Sequence, residues 1–136
     1  MKCLIIDDDE VNRDYVATLL DNLAECDEAA CGDEAVAKFS KALAEDSPYD
    51  LILLDIMMPG MNGHETAKAI RSLEKEHGPQ TGKRAQIVML TALNSPRDAM
   101  ESFCSAQSAA YVVKPVTREK LAGIVSKLGL LKKKQG

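Results

Sequence analysis

The residue types best suited to chemistry in this sequence are three aspartates, a threonine and a lysine, which stand where short apolar segments end. They are Asp7, Asp8, Asp55, Thr91 and Lys114. Carboxylates held close together need a compensating cation, and Mg²⁺ typically takes one or two carboxylates together with a phosphate. A hydroxyl and an ammonium group suit phosphoryl oxygens, and an aspartate can itself be the nucleophile. These residues predict a magnesium-dependent phosphoryl-transfer site if the fold gathers them at one edge.

Asp55 stands at the junction between an apolar run and a loop. Residues 51–54 are all apolar, which is typical of a short strand buried on both faces. Pro59-Gly60 and Asn62-Gly63 then turn the backbone. A capping or turn role is the ordinary interpretation of a lone aspartate at such a junction. The polar residues at three other strand ends favour a functional role instead.

The acidic run at residues 7–10 contains more carboxylates than the start of a helix requires. A helix is predicted directly after it, and acidic groups near a helix start interact favourably with the helix dipole. Asp9 and Glu10 have that structural explanation. Asp7 and Asp8 are left as ligands of a cation, because four packed carboxylates would otherwise repel one another.

Short strand-like segments alternate with helical patterns five times along the chain; four of these segments are apolar, and residues 25–30 are half-polar, which fits a sheet edge. The predicted strands are residues 3–6, 25–30, 51–54, 87–90 and 109–113. The helix faces predicted to point inward are marked by Val16, Leu19, Leu20 and Leu23, by Val36, Phe39 and Leu43, by Ile70 and Leu73, and by Leu121, Ile124, Val125 and Leu128. Ser95-Pro96 is predicted to open the helix after the fourth strand, and Thr117 to cap the last one. This alternation predicts a parallel sheet covered by helices on both faces.

Composition excludes several functional classes. The chain has 136 residues, 46% of them hydrophobic and 28% charged, as expected for one globular domain. The net charge of -4 argues against non-specific nucleic-acid binding. No apolar run approaches the roughly 18 residues of a membrane span, and the start lacks the pattern of a signal peptide. The four cysteines, Cys3, Cys26, Cys31 and Cys104, show no C-x-x-C spacing, which favours reduced thiols in the cytoplasm.

The domain organisation is predicted to be simple. Residues 1–131 form one domain, and residues 132–136 are a basic, solvated tail. No helix-turn-helix pattern follows the last helix, so direct DNA binding is not expected. We expect a protein that acts alone by docking to a protein target, with a fragment of a longer chain as the alternative.

Four motifs taken together resemble the receiver domain of two-component response regulators, with the single-domain chemotaxis regulators as the nearest type. They are Ile6-Asp7-Asp8-Asp9, residues 55–63, Thr91-Ala92 and Lys114-Pro115. Each motif is weak alone, but their order and separations are specific and cover nearly the whole chain. The resemblance implies a flavodoxin-like (βα)5 three-layer sandwich with strand order 2-1-3-4-5, which places strands 1 and 3 side by side. It also implies a phosphoacceptor rather than a conventional enzyme.

The resemblance assigns roles to the residues of the site. Asp55 would accept the phosphoryl group from a phosphohistidine of a sensor histidine kinase or a phosphotransfer protein. Asp8, Asp55 and the backbone carbonyl of Met57 would hold Mg²⁺, and Asp7 would assist through water. Lys114 would pair first with Asp55 and then with its phosphate.

The resemblance also implies a switch. Thr91 would move toward the phosphate and Tyr111 would rotate inward behind it, although core packing is the ordinary interpretation of a tyrosine in a strand. The responding surface, residues 95–128, would bind a downstream protein whose identity is unknown. The Lys114-Pro115 peptide would be cis, a state largely confined to bonds that precede proline.

Two alternatives belong to other classes. Residues 7–11 also fit the D-x-D-x-V pattern of haloacid-dehalogenase-type phosphatases, in which Asp7 would be the nucleophile and Asp9 the acid-base. That hypothesis leaves residues 55–63 unexplained. A receiver-like module used only for protein interaction is the other alternative, and the intact Asp55 and Lys114 argue against it.

Overall fold

The fold is built on one five-stranded parallel sheet. The structure is a computed structural model that describes residues 2–21, 23–55, 63–77, 85–91, 110–113 and 115–128. The strands are β1 (Lys2–Ile6), β2 (Glu25–Ala29), β3 (Leu51–Asp55), β4 (Gln86–Thr91) and β5 (Ala110–Val113). The helices of the described ranges are α1 (Glu10–Leu19), α2 (Gly32–Ala44), α3 (Gly63–His77) and α4 (Arg118–Lys127). The helix predicted to open at Ser95 lies outside the described residues.

The strand order is β2-β1-β3-β4-β5, as predicted. Every neighbouring pair is parallel, so all five strands end at the same edge of the sheet. In the register of the central pair, Ile6 on β1 lies opposite Leu54 on β3. The residues that follow these two therefore leave the sheet next to each other.

The two faces of the sheet carry separate apolar layers, because successive side chains of a strand point to opposite faces. Leu4 and Ile52 belong to the layer that packs beneath α2 and α3. Ile5 and Leu53 belong to the layer beneath α1 and α4. All four are fully buried. The three-layer sandwich and the continuous apolar strands predicted from the sequence are both confirmed.

Two helix predictions need correction in detail. α1 ends at Leu19, so Leu23 lies beyond the helix, although it still packs against the apolar layer. On α2 the buried face contains Ala35, Phe39 and Ala42, whereas Val36 is only half-buried. Phe39 and Leu43 of the predicted face do pack into the apolar layer, so the correction concerns Val36 and the two alanines.

The starts of α1 and α4 follow the capping pattern expected from the sequence. The Asp9 carboxylate accepts a hydrogen bond of 3.0 Å from the Val11 backbone N–H at the start of α1. The Thr117 hydroxyl accepts one of 3.1 Å from the Lys120 backbone N–H at the start of α4. Within the described ranges, no helix combines the length and apolar character needed to cross a bilayer.

Candidate functional site

Three carboxylates meet at the edge of the sheet where β1 and β3 end. Carboxylate oxygens of Asp7, Asp8 and Asp55 all lie within 4.8 Å of one another. Asp7 and Asp55 are buried, with 2% and 4% of their surface exposed, whereas Asp8 is exposed. Buried charges of one sign at this separation repel each other strongly unless a cation or a proton compensates them. All three side chains offer oxygen atoms as ligands, and one of them is open to water. A hard divalent cation such as Mg²⁺ prefers ligands of this kind.

The sheet itself positions the two buried carboxylates. Asp55 is the last residue of β3, and Asp7 follows the last residue of β1. Since Ile6 lies opposite Leu54, Asp7 and Asp55 occupy the next position on adjacent strands. The Asp7 backbone N–H also donates to the carbonyl of Ala29 at 3.1 Å, which extends the pairing with β2 by one residue.

Asp8 and Asp9 have different surroundings although they are adjacent in sequence. The Asp9 carboxylate caps α1, and the Asp9 backbone N–H donates to the Asp7 carboxylate at 2.9 Å. The Asp8 carboxylate belongs instead to the three-carboxylate cluster. The prediction that Asp9 serves the helix start is therefore confirmed.

Arg13 also contacts this edge, which the residue pattern did not predict. Its guanidinium donates to the backbone carbonyl of Asp7 at 2.7 Å and to the Glu28 carboxylate at 3.1 Å. Only 14% of its side chain is exposed. Arg13 thus ties α1 to β2 across the segment that carries Asp7. The sequence does show a positively charged residue near the start of α1. The spacing of residues along the chain does not reveal which groups that residue contacts.

Thr91 lies at the same edge in the register of the strands. Asp55 is opposite Leu90 on β4, so the backbone of Thr91 is one residue beyond that pair. Thr91 in turn lies opposite Val113 on β5, which directly precedes Lys114. Thr91 is the last residue of β4, whereas the sequence placed it just after the strand.

Several predicted features fall outside the described residues. They are Met57, Lys114 with the geometry of its peptide bond to Pro115, and the side chains of Thr91 and Tyr111. The backbone of Tyr111 is described and lies in β5 opposite Met89.

A second contact missed from the sequence joins α1 to the segment after β5. The Tyr15 hydroxyl donates to the backbone carbonyl of Val116 at 2.9 Å, although Tyr15 is 49% exposed. Val116 is buried and lies two residues after Lys114. This hydrogen bond connects the helix that follows the acidic run with the loop that follows the predicted lysine.

Comparison with known proteins agrees with this architecture. The family model of the response regulator receiver domain matches residues 3–126. The chain therefore belongs to the family of response regulator receiver domains.

Individual relatives support the same assignment. The chain is 32% identical over 133 residues to two-component response regulator ORR41 of Oryza sativa subsp. japonica, covering 96% of this chain and 95% of that protein. It is 40% identical over 116 residues to transcriptional regulatory protein ResD of Bacillus subtilis, where the match covers 84% of this chain but 42% of that protein. Among solved structures, chemotaxis protein CheY4 of Vibrio cholerae has a TM-score of 0.74 at 31% identity, covering 93% of this chain and 96% of that one.

Membership of this family defines the class of activity. Receiver domains of two-component systems are signalling phosphoacceptors that interact with histidine kinases or phosphotransfer proteins, and they typically bind Mg²⁺ through acidic residues. The cluster of Asp7, Asp8 and Asp55 has the composition that such a metal site needs.

Proposed function

We propose that Asp55 accepts a phosphoryl group from the phosphohistidine of a sensor histidine kinase or phosphotransfer protein in the cytoplasm. Mg²⁺ would be held by Asp8, Asp55 and the backbone carbonyl of Met57, with Asp7 acting through a bound water. The observation that carries this proposal is the position of Asp55, a buried carboxylate at the end of a central strand with two more carboxylates within 4.8 Å.

In the proposed reaction a carboxylate oxygen of Asp55 attacks the phosphorus. The new O–P bond forms as the N–P bond to the donor imidazole breaks, and the imidazole leaves with that electron pair and takes up a proton. Bound Mg²⁺ supplies positive charge that offsets the charge on the phosphoryl oxygens. Asp55 contributes mainly position, because the end of β3 holds it rigidly in the sheet edge.

Two further residues complete the proposed site. Lys114 pairs with Asp55 before the transfer and with the phosphoryl oxygens after it, and the Thr91 hydroxyl donates to one of those oxygens. The register supports this assignment, because Thr91 and Val113 are paired at the edge where Asp55 ends its strand.

The direct test is transfer from acetyl phosphate or a phosphorylated kinase to the purified protein in Mg²⁺. We expect Asp55→Asn to abolish labelling, because the amide lacks a nucleophilic oxygen of the required charge. Asp9→Asn is the matched control, since an asparagine still caps α1, and it should label normally. Chelation of divalent cations should prevent labelling of the wild-type protein. Stoichiometric labelling of the folded Asp55→Asn variant would overturn the proposal.

We propose that phosphorylation of Asp55 changes a surface formed by the part of the chain that follows β4. Thr91 and Tyr111 would couple the phosphate to residues 95–128, and that surface would bind a downstream protein target. β4 and β5 support the coupling, because Met89 and Tyr111 are paired two positions before the Thr91 end of the sheet.

A further inference from the structure

A pair of cysteines occupies matching positions on β1 and β2. Cys3 on β1 is the register partner of Cys26 on β2, and both strands run in the same direction. Both side chains belong to the apolar layer beneath α1. Neighbouring strands lie about 4.8 Å apart, which falls within the roughly 4.4–6.8 Å between Cα atoms that disulfides span. The two residues are therefore side by side on one face of the sheet, and both are free cysteines in this structure.

The two thiols differ in access. Cys3 is fully buried, whereas Cys26 is half-buried and lies on β2, which is the edge strand of the sheet. Solvent therefore contacts the side chain of Cys26 but not that of Cys3. This asymmetry suits a reaction in two steps, in which the outer thiol reacts first and the inner thiol resolves the product.

The electrostatic environment strengthens the asymmetry. The neighbouring Cys3 thiol lowers the pKa of Cys26, whereas the neighbouring Cys26 thiol and burial raise the pKa of Cys3. The partial burial of Cys26 and the nearby Asp27 and Glu28 oppose the lowering of its pKa, but the effect of the Cys3 thiol is larger. Cys26 is thus the thiol that ionises first, and the thiolate is the nucleophilic form of cysteine.

We propose that Cys3 and Cys26 form an oxidisable dithiol that a hydroperoxide converts into a disulfide between β1 and β2. The Cys26 thiolate attacks a peroxide oxygen, the O–O bond breaks, and the released alkoxide or hydroxide takes up a proton. Cys26 becomes a sulfenic acid. Cys3 then attacks that sulfur, the S–O bond breaks, and water leaves as the S–S bond forms. In total, the dithiol loses two electrons and two protons. The hydroperoxide is reduced to an alcohol, or to water when it is hydrogen peroxide, and the second step releases one more water.

This modification site is separate from the phosphoacceptor site. Cys3 lies at the start of β1, whereas Asp7 follows the other end of the same strand. The proposal therefore does not depend on the proposed function, and the two succeed or fail in different experiments.

The test treats the folded full chain with hydrogen peroxide and maps disulfides by peptide mass spectrometry without reduction. We expect a linked pair of peptides that contains Cys3 and Cys26 and that disappears after treatment with dithiothreitol. Cys31→Ser is the control, because Cys31 is also half-buried but stands at the start of α2 rather than in the sheet. This variant should form the same disulfide. Oxidation of Cys31 or Cys104 without a Cys3–Cys26 link would overturn the proposal.

Single variants test the order of the two steps. Cys3→Ala should stop the reaction at a Cys26 sulfenic acid, which dimedone traps and mass spectrometry locates. Cys26→Ala should leave Cys3 unmodified in the folded protein, because Cys3 is fully buried. Dimedone labelling of Cys3 rather than Cys26 would contradict the order. If either variant fails to fold, the disulfide map of the wild-type protein tests the proposal by itself. A Cys3–Cys26 disulfide that forms only in urea would overturn the proposal.

Discussion

Adjacent acidic residues at the end of β1 have different tasks. Asp8 contributes an oxygen to the three-carboxylate cluster, and Asp9 caps α1 with its own carboxylate. The same residue type therefore belongs to the carboxylate cluster at one position and caps a helix at the next. Their separation depends on the loop between β1 and α1, where the Asp9 N–H donates to the Asp7 carboxylate.

Alanine substitution separates the two tasks. We expect Asp8→Ala to weaken Mg²⁺ binding, measured by isothermal titration calorimetry, more than Asp9→Ala does, because it removes a ligand. Asp9→Ala should instead lower the free energy of unfolding by about 1 kcal/mol through loss of the cap, measured by urea denaturation. Equal losses of Mg²⁺ affinity in the two variants would show that the cluster is wrongly assigned.

A further prediction at the residue scale concerns the lifetime of the proposed aspartyl phosphate. By resemblance to the family, the side chains two after the acceptor and two after the threonine flank the path of the attacking water, and here they are Met57 and Leu93. Both lie outside the described residues. Neither can orient water by strong hydrogen bonds, and both can restrict solvent.

We therefore predict slow self-dephosphorylation and a faster decay in the double variant Met57→Asn with Leu93→Glu. The decay is measured as loss of label after the donor has been removed. The rate of phosphorylation by acetyl phosphate should be followed in parallel, because the same side chains can also slow access by small donors. An unchanged decay rate would show that these positions do not control the lifetime.

At the element scale, the strands were predicted more accurately than the helix faces. The apolar run 51–54 belongs to β3, where Leu51 to Leu54 are all fully buried, because a strand covered on both faces shows no polar position. On α2, the predicted face was based on large apolar residues and included Val36, whereas the buried residues include Ala35 and Ala42. Alanine is small and only weakly hydrophobic, so a helix face that contains alanines does not stand out in the sequence pattern. Which face is buried depends on how the helix packs against the sheet.

Stability measurements can confirm the observed face of α2. Phe39 is 1% exposed and stacks on Tyr49 with ring centroids 6.4 Å apart. We expect Phe39→Ala to lower the free energy of unfolding by about 3–5 kcal/mol. Val36→Ala, the control at the predicted but half-buried position, should cost clearly less. A loss from Val36→Ala as large as that from Phe39→Ala, measured by urea denaturation, would contradict the half-buried position of Val36.

At the scale of the whole molecule, the topology explains why so much of the site was predictable. Alternating strands and helices specify a parallel sheet, and a parallel sheet brings Asp7, Asp55 and Thr91 to one edge. The Arg13 and Tyr15 hydrogen bonds were not predictable, because each joins α1 to a backbone carbonyl outside the helix. Side-chain contacts of that kind depend on how the layers pack and leave no periodic trace in the sequence.

The proposed switch is a property of the whole molecule and can be followed by amide chemical shifts. Phosphorylation should shift an existing equilibrium between two conformations. With Mg²⁺ and beryllofluoride, which mimics the phosphoryl group, we expect changes around Asp55, at Tyr111 and across residues 95–128. The Asp55→Asn variant is the control and should show none of them. Changes confined to the loop after Asp55 would rule out the switch.

The central claim is that Asp55 is the phosphoacceptor, and one measurement tests it most directly. The protein is phosphorylated with acetyl phosphate and Mg²⁺ and then reduced with borohydride, which converts an aspartyl phosphate into homoserine. Peptide mass spectrometry locates the converted residue. We expect homoserine at position 55 alone. Homoserine at position 7, as phosphatase-type chemistry requires, or no conversion in the folded protein, as for a pure interaction module, would contradict it.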